Sequence, residues 1–330
     1  MDLIKRIDPE LLPSIEMIPV DGLFNFDDLP AARELSTQMF SQMAAQMPPV
    51  EGVESQDLKI PGPSGAHEIT ARLYTPKNLS GSKPGMLWIH GGGYILGDLD
   101  VDDYNLRQMC LNTGCVILST NYRLAPEDPF PAPVEDCYAS LQWLFGNSES
   151  LGIDKSRIAV GGGSAGGGLA AGLVIMTRDR GEMDVAFQLL IYPMLDDRNI
   201  TPSSHTINDQ RTWNREKNIF AWKAYLGDSA KDGNVSPYAA VARAEDLSGL
   251  PPAYIAVGEL DLFLDEDIEY AQRLLQAGVS TELHVYPGAT HGFDSILTAS
   301  VSKRLRAERD NAVRKALFQQ AIHRLHLDSC

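Results

Sequence analysis

Short apolar runs alternate with segments in which apolar residues recur every three or four positions, from residue 86 onwards. The runs are typical of buried strands and the periodic segments of helices. This alternation predicts a mostly parallel sheet with helices on both faces. The predicted strands cover 86–90, 116–120, 157–161, 185–192, 253–257 and 281–286, and the predicted helices cover 103–111, 132–145, 165–178, 262–277 and 301–323.

The region before residue 86 adds a helix and two strands to this pattern. Segments 53–60 and 68–74 are joined by a Pro/Gly-rich turn, which predicts an antiparallel pair and completes an α/β fold with an eight-stranded sheet. A helix is predicted over 30–47, with Pro30 in its first turn. Its residues Leu35, Met39 and Met43 predict an apolar stripe that packs against another part of the protein.

The segment from residue 196 to 241 interrupts the alternation, because it is polar and aromatic and contains no strand pattern. We interpret it as an inserted helical segment that packs with the N-terminal helices as a cap. The domain prediction is therefore a helical cap formed by residues 1–50 and 197–240. Residues 51–196 and 241–330 then form the catalytic domain.

Charge and composition exclude several classes of partner. The chain has 28 Lys and Arg residues against 44 Asp and Glu residues, and its net charge of −16 argues against nucleic acid or an anionic membrane as a partner. No apolar run approaches the roughly 20 residues of a membrane span, and the N-terminus lacks a signal-peptide core. The cysteines show no metal-ligand spacing, which predicts reduced thiols, no metal and a cytoplasmic location: Cys110, Cys115, Cys137 and Cys330.

Two glycine motifs, each behind a predicted strand, carry the chemistry. The sequence GGSAG at 162–166 fits the strand-to-helix turn that exposes a nucleophilic serine, and HGGG at 90–93 fits a loop that supplies amide donors to an oxyanion. Together they predict a serine acyl-hydrolase with Ser164 as nucleophile. The backbone amides of Gly92, Gly93 and Ala165 are the predicted oxyanion hole.

The same glycines also match a dinucleotide-binding fingerprint. Gly161, Gly163 and Gly166 satisfy G-x-G-x-x-G, and Asp179 or Glu182 could serve as the ribose-binding acid. This match lies in the middle of the chain, after several strands, and it leaves the HGGG loop unexplained. The hydrolase hypothesis is therefore favoured, and it requires no cofactor.

The general base and its carboxylate must follow Ser164 in the order acid, then histidine. His291 lies just beyond the last predicted strand, at the edge where α/β folds place their chemistry. The acid should follow strand 253–257, where the candidates are Glu259, Asp261, Asp265 and Asp267, and Asp261 is best placed on the loop before the next helix. The remaining downstream histidines are predicted to be structural or solvent-facing: His205, His284, His323 and His326.

These motifs resemble the hormone-sensitive-lipase-like (bacterial family IV) carboxylesterases of the α/β-hydrolase superfamily. The resemblance rests on HGGGY at 90–94, NYRLAPE at 121–127, GSAGG at 163–167, the acidic segment from 261 to 266 and HGF at 291–293. It implies an α/β-hydrolase fold with a helical cap, hydrolysis of short- to medium-chain acyl esters through an acyl-enzyme, and a Ser164–His291–Asp261 triad. Gly163 departs from the family pattern, since many members carry Asp there.

The resemblance leaves other functions and the oligomeric state open. Similar sequences include amide and formamide hydrolases, which the sequence does not separate from esterases. Non-catalytic small-molecule receptors such as the plant gibberellin receptors share the fold but lack the triad histidine, whereas His291 is present here. A free sheet edge at the last strand indicates a homodimer through that edge.

Overall fold

The computed structural model describes residues 3–77, 80–230 and 233–327. Within them, one sheet has the strand order β1-β2-β4-β3-β5-β6-β7-β8. Strand β2 runs antiparallel to both of its neighbours, and the pairs from β4 to β8 are parallel. The strands are β1 Val53–Pro61, β2 Glu68–Pro76, β3 Lys83–Ile89, β4 Val116–Thr120, β5 Ile153–Gly163, β6 Phe187–Ile191, β7 Ala253–Leu260 and β8 Thr281–Thr290.

Helices cover both faces of this sheet. They are α1 Leu12–Glu16, α2 Leu29–Gln46, α3 Asp103–Thr113, α4 Ala132–Gly146, α5 Ala165–Arg180, α6 Pro202–Thr206, α7 Arg215–Leu226, α8 Leu264–Gln276 and α9 Ser300–Leu327. Strand β3 shows why its apolar run is continuous: Leu87 and Ile89 enter the core cluster under α4, α5 and α8, whereas Met86 and Trp88 enter the cluster under α3 and α9. The predicted α/β fold and its eight-stranded sheet are confirmed.

Strands β5 and β8 extend furthest beyond their predicted ends. Strand β5 begins at Ile153, which pairs with Lys83. Strand β8 continues to Thr290 rather than ending near residue 286, because it follows β7 through a register shift to the pair Leu260–Thr290. The shift requires close backbone approach: a Cβ on Gly258 would lie 2.3 Å from the carbonyl oxygen of Ala289. Consequently His291 directly follows the strand.

The predicted apolar stripe on α2 is wrong. Leu35 is 38% exposed and Met43 is 37% exposed, whereas the buried positions include Leu29 and Ala32 on another face. The orientation of α2 is fixed by Arg33, whose guanidinium donates to the carbonyl oxygens of residues 95 and 125 and pairs with the carboxylate of residue 127. These long-range polar contacts determine which face is buried.

The inserted region contains α6 and α7 and, in its described part, no strand. Helix α7 buries Ala221, Trp222 and Tyr225 in the core cluster, and Phe220 lies 5.5 Å from Phe26 between ring centroids. The earliest part of the chain packs elsewhere, since Ile7, Leu11 and Ile15 belong to the cluster under α9. The division into cap and catalytic parts stays a prediction.

Two further expectations concern the state of the cysteines and membrane-spanning segments. Cys110, Cys115 and Cys137 are buried free thiols, and burial raises the pKa of Cys110 and of Cys115 to about 12. Cys330 lies outside the described residues. Among the described helices, none combines the length and apolar composition that crossing a membrane demands.

Candidate active site

Ser164 occupies the tight turn between β5 and α5 with φ 57° and ψ −123°. A positive φ is uncommon for a residue with a side chain and persists only where the surroundings hold it. Here the Ser164 amide donates to the carbonyl oxygen of Ile191 at 2.9 Å, and the Ser164 carbonyl accepts from the amides of Gly168 and Met194, both at 3.0 Å. The turn is therefore fixed from β6 as well as from its own helix.

Glycines around Ser164 allow the backbones to come very close. A Cβ on Gly162 would lie 2.3 Å from the carbonyl oxygen of Gly166, and a Cβ on Gly166 would lie 2.1 Å from that of Ile89. Both distances are far inside van der Waals contact with backbone atoms that cannot easily move. The GGSAG spacing thus lets α5 begin directly against β3 and β5, with the serine at the sheet edge.

The structure brings His291 and Asp261 together with Ser164. His291 Nε2 lies 2.9 Å from Ser164 Oγ, and His291 Nδ1 lies 2.8 Å from Asp261 Oδ2. Asp261 is fully buried, and its Oδ1 accepts from the amide of Phe263 at 3.0 Å. A serine, an imidazole and a buried carboxylate in this chain of contacts can carry out nucleophilic acyl transfer.

The other candidate carboxylates have different partners. Glu259 pairs with Arg6 and accepts from the amide of residue 288 at 2.9 Å, and Asp265 accepts from the amide of residue 203 at 2.6 Å. Asp267 is buried, and neither of its oxygens has a hydrogen-bond partner among the described residues. Burial raises the pKa of Asp267 well above its usual range, and the nearby carboxyls of Glu266 and Asp261 raise it further. Of the four candidates, Asp261 is therefore the one that pairs with His291.

The remaining histidines lie away from Ser164 or outside the description. His284 pairs with Glu282 at 2.7 Å and with Glu308 at 3.3 Å, and His205 is exposed. The side chains of His323 and His326 lie outside the described part of the chain. Among the described residues, no group of three or more His, Cys, Asp or Glu side chains is arranged to hold a metal ion.

The HGGG loop lies directly beside Ser164. A Cβ on Gly91 would lie 3.3 Å from the Cβ of Ser164 and 3.0 Å from the carbonyl oxygen of Gly163. Gly92 has φ 118°, a conformation that favours glycine, and a Cβ there would lie 2.1 Å from the carbonyl oxygen of Leu96. The loop backbone and the first amide of α5, at Ala165, border Ser164, and a helix N-terminus favours negative charge.

His90 supports this loop from behind. It is fully buried, its ring stacks on Tyr122 with centroids 4.4 Å apart, and the Tyr122 hydroxyl donates to its carbonyl oxygen at 3.0 Å. Burial lowers the pKa of His90, so the neutral ring can donate from Nδ1 to the carbonyl oxygen of Gly91 at 2.7 Å. His90 orders the HGGG loop without touching Ser164.

The predicted site left out two aromatic residues that border His291. The ring of Tyr192 lies 4.6 Å from that of His291, edge to face, and its hydroxyl donates to the buried carboxylate of Asp294. Trp213, from the inserted region, lies 6.4 Å from His291 between ring centroids. The signal for Tyr192 was available, because it ends the predicted strand 185–192 at the edge where parallel sheets place their sites.

Comparisons with known proteins agree with this geometry. A family model described as the alpha/beta hydrolase fold matches residues 86–295. Esterase LipI of Mycobacterium tuberculosis is 36% identical over 290 residues, covering 87% of this chain and 88% of that protein. Carboxylic ester hydrolase LipN of the same organism is 38% identical over 87% of this chain and 77% of its own length. The solved structure of a bacterial heroin esterase superposes with a TM-score of 0.90 at 47% identity, covering 95% of this chain and 99% of that one.

Proposed function

The chain belongs to the hormone-sensitive-lipase-like family of α/β-hydrolases and is a carboxylic ester hydrolase, and from this premise we propose that Ser164, His291 and Asp261 perform its chemistry. The observation that carries the proposal is the pair of contacts from His291, at 2.9 Å to Ser164 Oγ and 2.8 Å to Asp261 Oδ2. A receptor of the same fold that lacks the triad histidine could not form these two contacts.

The reaction proceeds in two acyl-transfer steps. His291 Nε2 accepts the Ser164 proton as Oγ attacks the ester carbonyl carbon, and the resulting tetrahedral intermediate collapses when His291 donates that proton to the leaving alcohol. Water then attacks the acyl-enzyme with His291 again as the base, which releases the carboxylic acid and restores Ser164. Asp261 accepts from Nδ1–H throughout, so it holds the tautomer whose Nε2 faces the serine.

The oxyanion of each tetrahedral intermediate is bound by the amides of Gly92, Gly93 and Ala165. Support for this assignment comes from the HGGG loop, where a Cβ added to Gly91 would lie 3.3 Å from the Ser164 Cβ, and from the start of α5 at Ala165. Losing one such donor typically costs about 2.7–4 kcal/mol in the barrier. Short- to medium-chain acyl esters are the proposed substrates, and amide hydrolysis is tested beside them.

The decisive experiment compares Ser164→Ala with Ser156→Ala on p-nitrophenyl butyrate. Ser156 is an exposed serine on β5, the strand that leads into the Ser164 turn. It therefore controls for the effect of replacing a serine by alanine in this part of the chain. We expect Ser164→Ala to lower kcat by about 10⁶-fold, as in other serine hydrolases, and Ser156→Ala to leave it unchanged. Equal activity of the two variants, or no nitrophenolate release by the wild-type protein, would contradict the proposal.

A substrate series resolves the finer assignment. Nitrophenyl esters from acetate to laurate report the preferred acyl length, and a matched butyryl anilide reports amide hydrolysis by the same site. We expect kcat/KM to be highest at butyrate to octanoate and at least about 10²-fold lower for the anilide, because nitrophenolate leaves without the protonation that an anilide nitrogen requires. A faster anilide than ester would assign the protein to amide hydrolysis.

Assembly and location belong to the same proposal. Strand β8 is at the end of the sheet, and its partly exposed residues support a homodimer through that edge, which light scattering would test by its mass. The buried free thiols of Cys110, Cys115 and Cys137 support a reducing, cytoplasmic location. Cell fractionation with activity as the readout tests the location directly.

A further inference from the structure

The indole of Trp213 lies between the two halves of the candidate catalytic machinery. Its ring centroid is 6.4 Å from that of His291. A Cβ on Gly93 would lie 2.4 Å from Trp213 Cη2 and 2.9 Å from Cζ2, so the outer edge of the indole rests on the oxyanion loop. The indole therefore borders both His291 and the loop beside Ser164.

A chain of buried amides fixes the indole in place. Trp213 Nε1 donates to Asn218 Oδ1 at 3.0 Å, and Asn218 Nδ2 donates to Asn199 Oδ1 at 2.5 Å. Asn218 is fully buried and Asn199 is 3% exposed. Asn199 is itself held by Arg215, which donates to its carbonyl oxygen at 2.5 Å. The indole is thus ordered before a substrate binds, which reduces the entropy lost on binding.

The apolar surface continues away from the triad through three more rings. The centroid of Phe26 is 6.1 Å from that of Trp213 and 5.5 Å from that of Phe220, and Phe24 stacks on Phe26 at 6.3 Å. All four side chains are only half-buried, although each packs against the main core. Apolar surface left uncovered beside a catalytic histidine indicates a ligand that covers it.

We infer that Trp213 is a specificity-determining residue and that the preferred esters carry a flat, uncharged ring which packs on this aromatic wall. The inference rests on the proposed function, since it concerns substrates of that same site. Flat rings pair with aromatic side chains in offset or edge-to-face arrangements, which adds to the gain from burying apolar area. The ring can belong to the alcohol or to the acyl part, because Trp213 borders both His291 and the oxyanion loop.

The test uses two pairs of esters whose leaving groups are unactivated alcohols. Benzyl acetate against butyl acetate places the ring in the alcohol, and ethyl phenylacetate against ethyl butyrate places it in the acyl group. Hydrolysis is followed by pH-stat for the wild type, Trp213→Leu and Trp213→Phe. Trp143→Leu is the matched control, because Trp143 is a half-buried tryptophan on α4 outside the site.

We expect Trp213→Leu to lower kcat/KM about tenfold for at least one ring-bearing ester, while its non-ring partner changes less than about threefold. The pair that responds identifies the part of the substrate on the wall. Trp213→Phe should retain most of the preference, and Trp143→Leu all of it. An equal loss on all four esters, or no change on any, would overturn the inference, because Trp213 would then only support the oxyanion loop or do nothing.

The result separates this inference from the proposed function. Retained hydrolysis of butyl acetate and ethyl butyrate by Trp213→Leu shows that the triad is intact, and a fluorophosphonate label on Ser164 verifies this independently of substrate choice. If the wild type hydrolyses none of the four esters, the proposed function fails first. If Trp213→Leu does not fold, as judged by far-ultraviolet circular dichroism, the Trp213→Phe ratios and the same measurement on Phe220→Leu decide the question.

Discussion

Two adjacent glycines before Ser164 should respond to alanine in opposite directions. At Gly162, a Cβ would lie 2.3 Å from the carbonyl oxygen of Gly166, 2.4 Å from its carbonyl carbon and 2.7 Å from the carbonyl oxygen of Ile89. At Gly163, the nearest atom would be Cε2 of Tyr192 at 3.7 Å, which is ordinary contact. The φ angle of Gly163 also lies outside the left-handed region, so alanine can adopt it.

The magnitudes follow from these contacts. Overpacking against backbone typically costs about 1–3 kcal/mol, so Gly162→Ala should lower the free energy of unfolding by at least that amount. Gly163→Ala should raise it by about 0.4–1 kcal/mol, because an unstrained alanine reduces the entropy of the unfolded chain. The expected gap between the variants is therefore about 1.4–4 kcal/mol. Displacing Ser164 by about 1 Å in Gly162→Ala should also lower kcat about 10²-fold.

The assay is urea unfolding of both variants, followed by circular dichroism and compared at the same slope. In thermal unfolding, the same gap should appear as a difference in Tm. An unfolding entropy of about 2.1 cal/mol/K per residue corresponds to about 0.7 kcal/mol/K for this chain, so the expected difference in Tm is about 2–6 °C. Equal stability of the two variants would refute the reasoning. So would a less stable Gly163→Ala, since the space seen beside Tyr192 would then be occupied in solution.

Two further predictions concern the carboxylates of Asp261 and Asp102. Asp261→Asn should lower kcat about 10⁴-fold, because an amide at this position favours the wrong imidazole tautomer, and KM should change little; a loss below about tenfold would contradict the assignment. Burial raises the pKa of Asp102 to about 6, although the indole N–H of Trp88 donates to it at 2.7 Å. A carboxyl whose pKa is raised by folding lowers the free energy of unfolding as pH rises from its unfolded pKa near 4 to about 6. The free energy of unfolding of Asp102→Asn should therefore increase by about 1–3 kcal/mol relative to wild type between pH 4 and pH 7.5. A pH-independent difference in urea unfolding would contradict this.

Local chemistry explains how much of the site the sequence could predict. The turn around Ser164 needs glycines at fixed spacing, and the HGGG loop needs them at Gly92, so both are visible as letters. His291 and Asp261 follow from the order of residues and strands. In the structure, the His291 imidazole contacts Ser164 through Nε2 and Asp261 through Nδ1. The mostly parallel sheet and its helix layers follow from the apolar runs, because burial on both faces removes the alternation that exposed strands show.

The features that the sequence did not predict depend on contacts between distant segments. The buried face of α2 is set by Arg33, whose partners lie at residues 95, 125 and 127, so periodicity within the helix pointed to the wrong stripe. The end of β8 depends on how closely Gly258 lets another strand approach. Trp213 comes from a region without periodicity, and its orientation is determined by Asn218 and Asn199 rather than by neighbours in the chain.

Ser164 and His291 are separated by 127 positions, and the last three strands of the sheet, β6, β7 and β8, lie between them in the sequence. During synthesis the serine turn can therefore form long before its imidazole exists, so a growing or truncated chain that ends before β8 has no means of removing the hydroxyl proton. Because such distant pairings close late in folding, turnover of an ester by this protein reports that the sheet has been completed as far as its last strand.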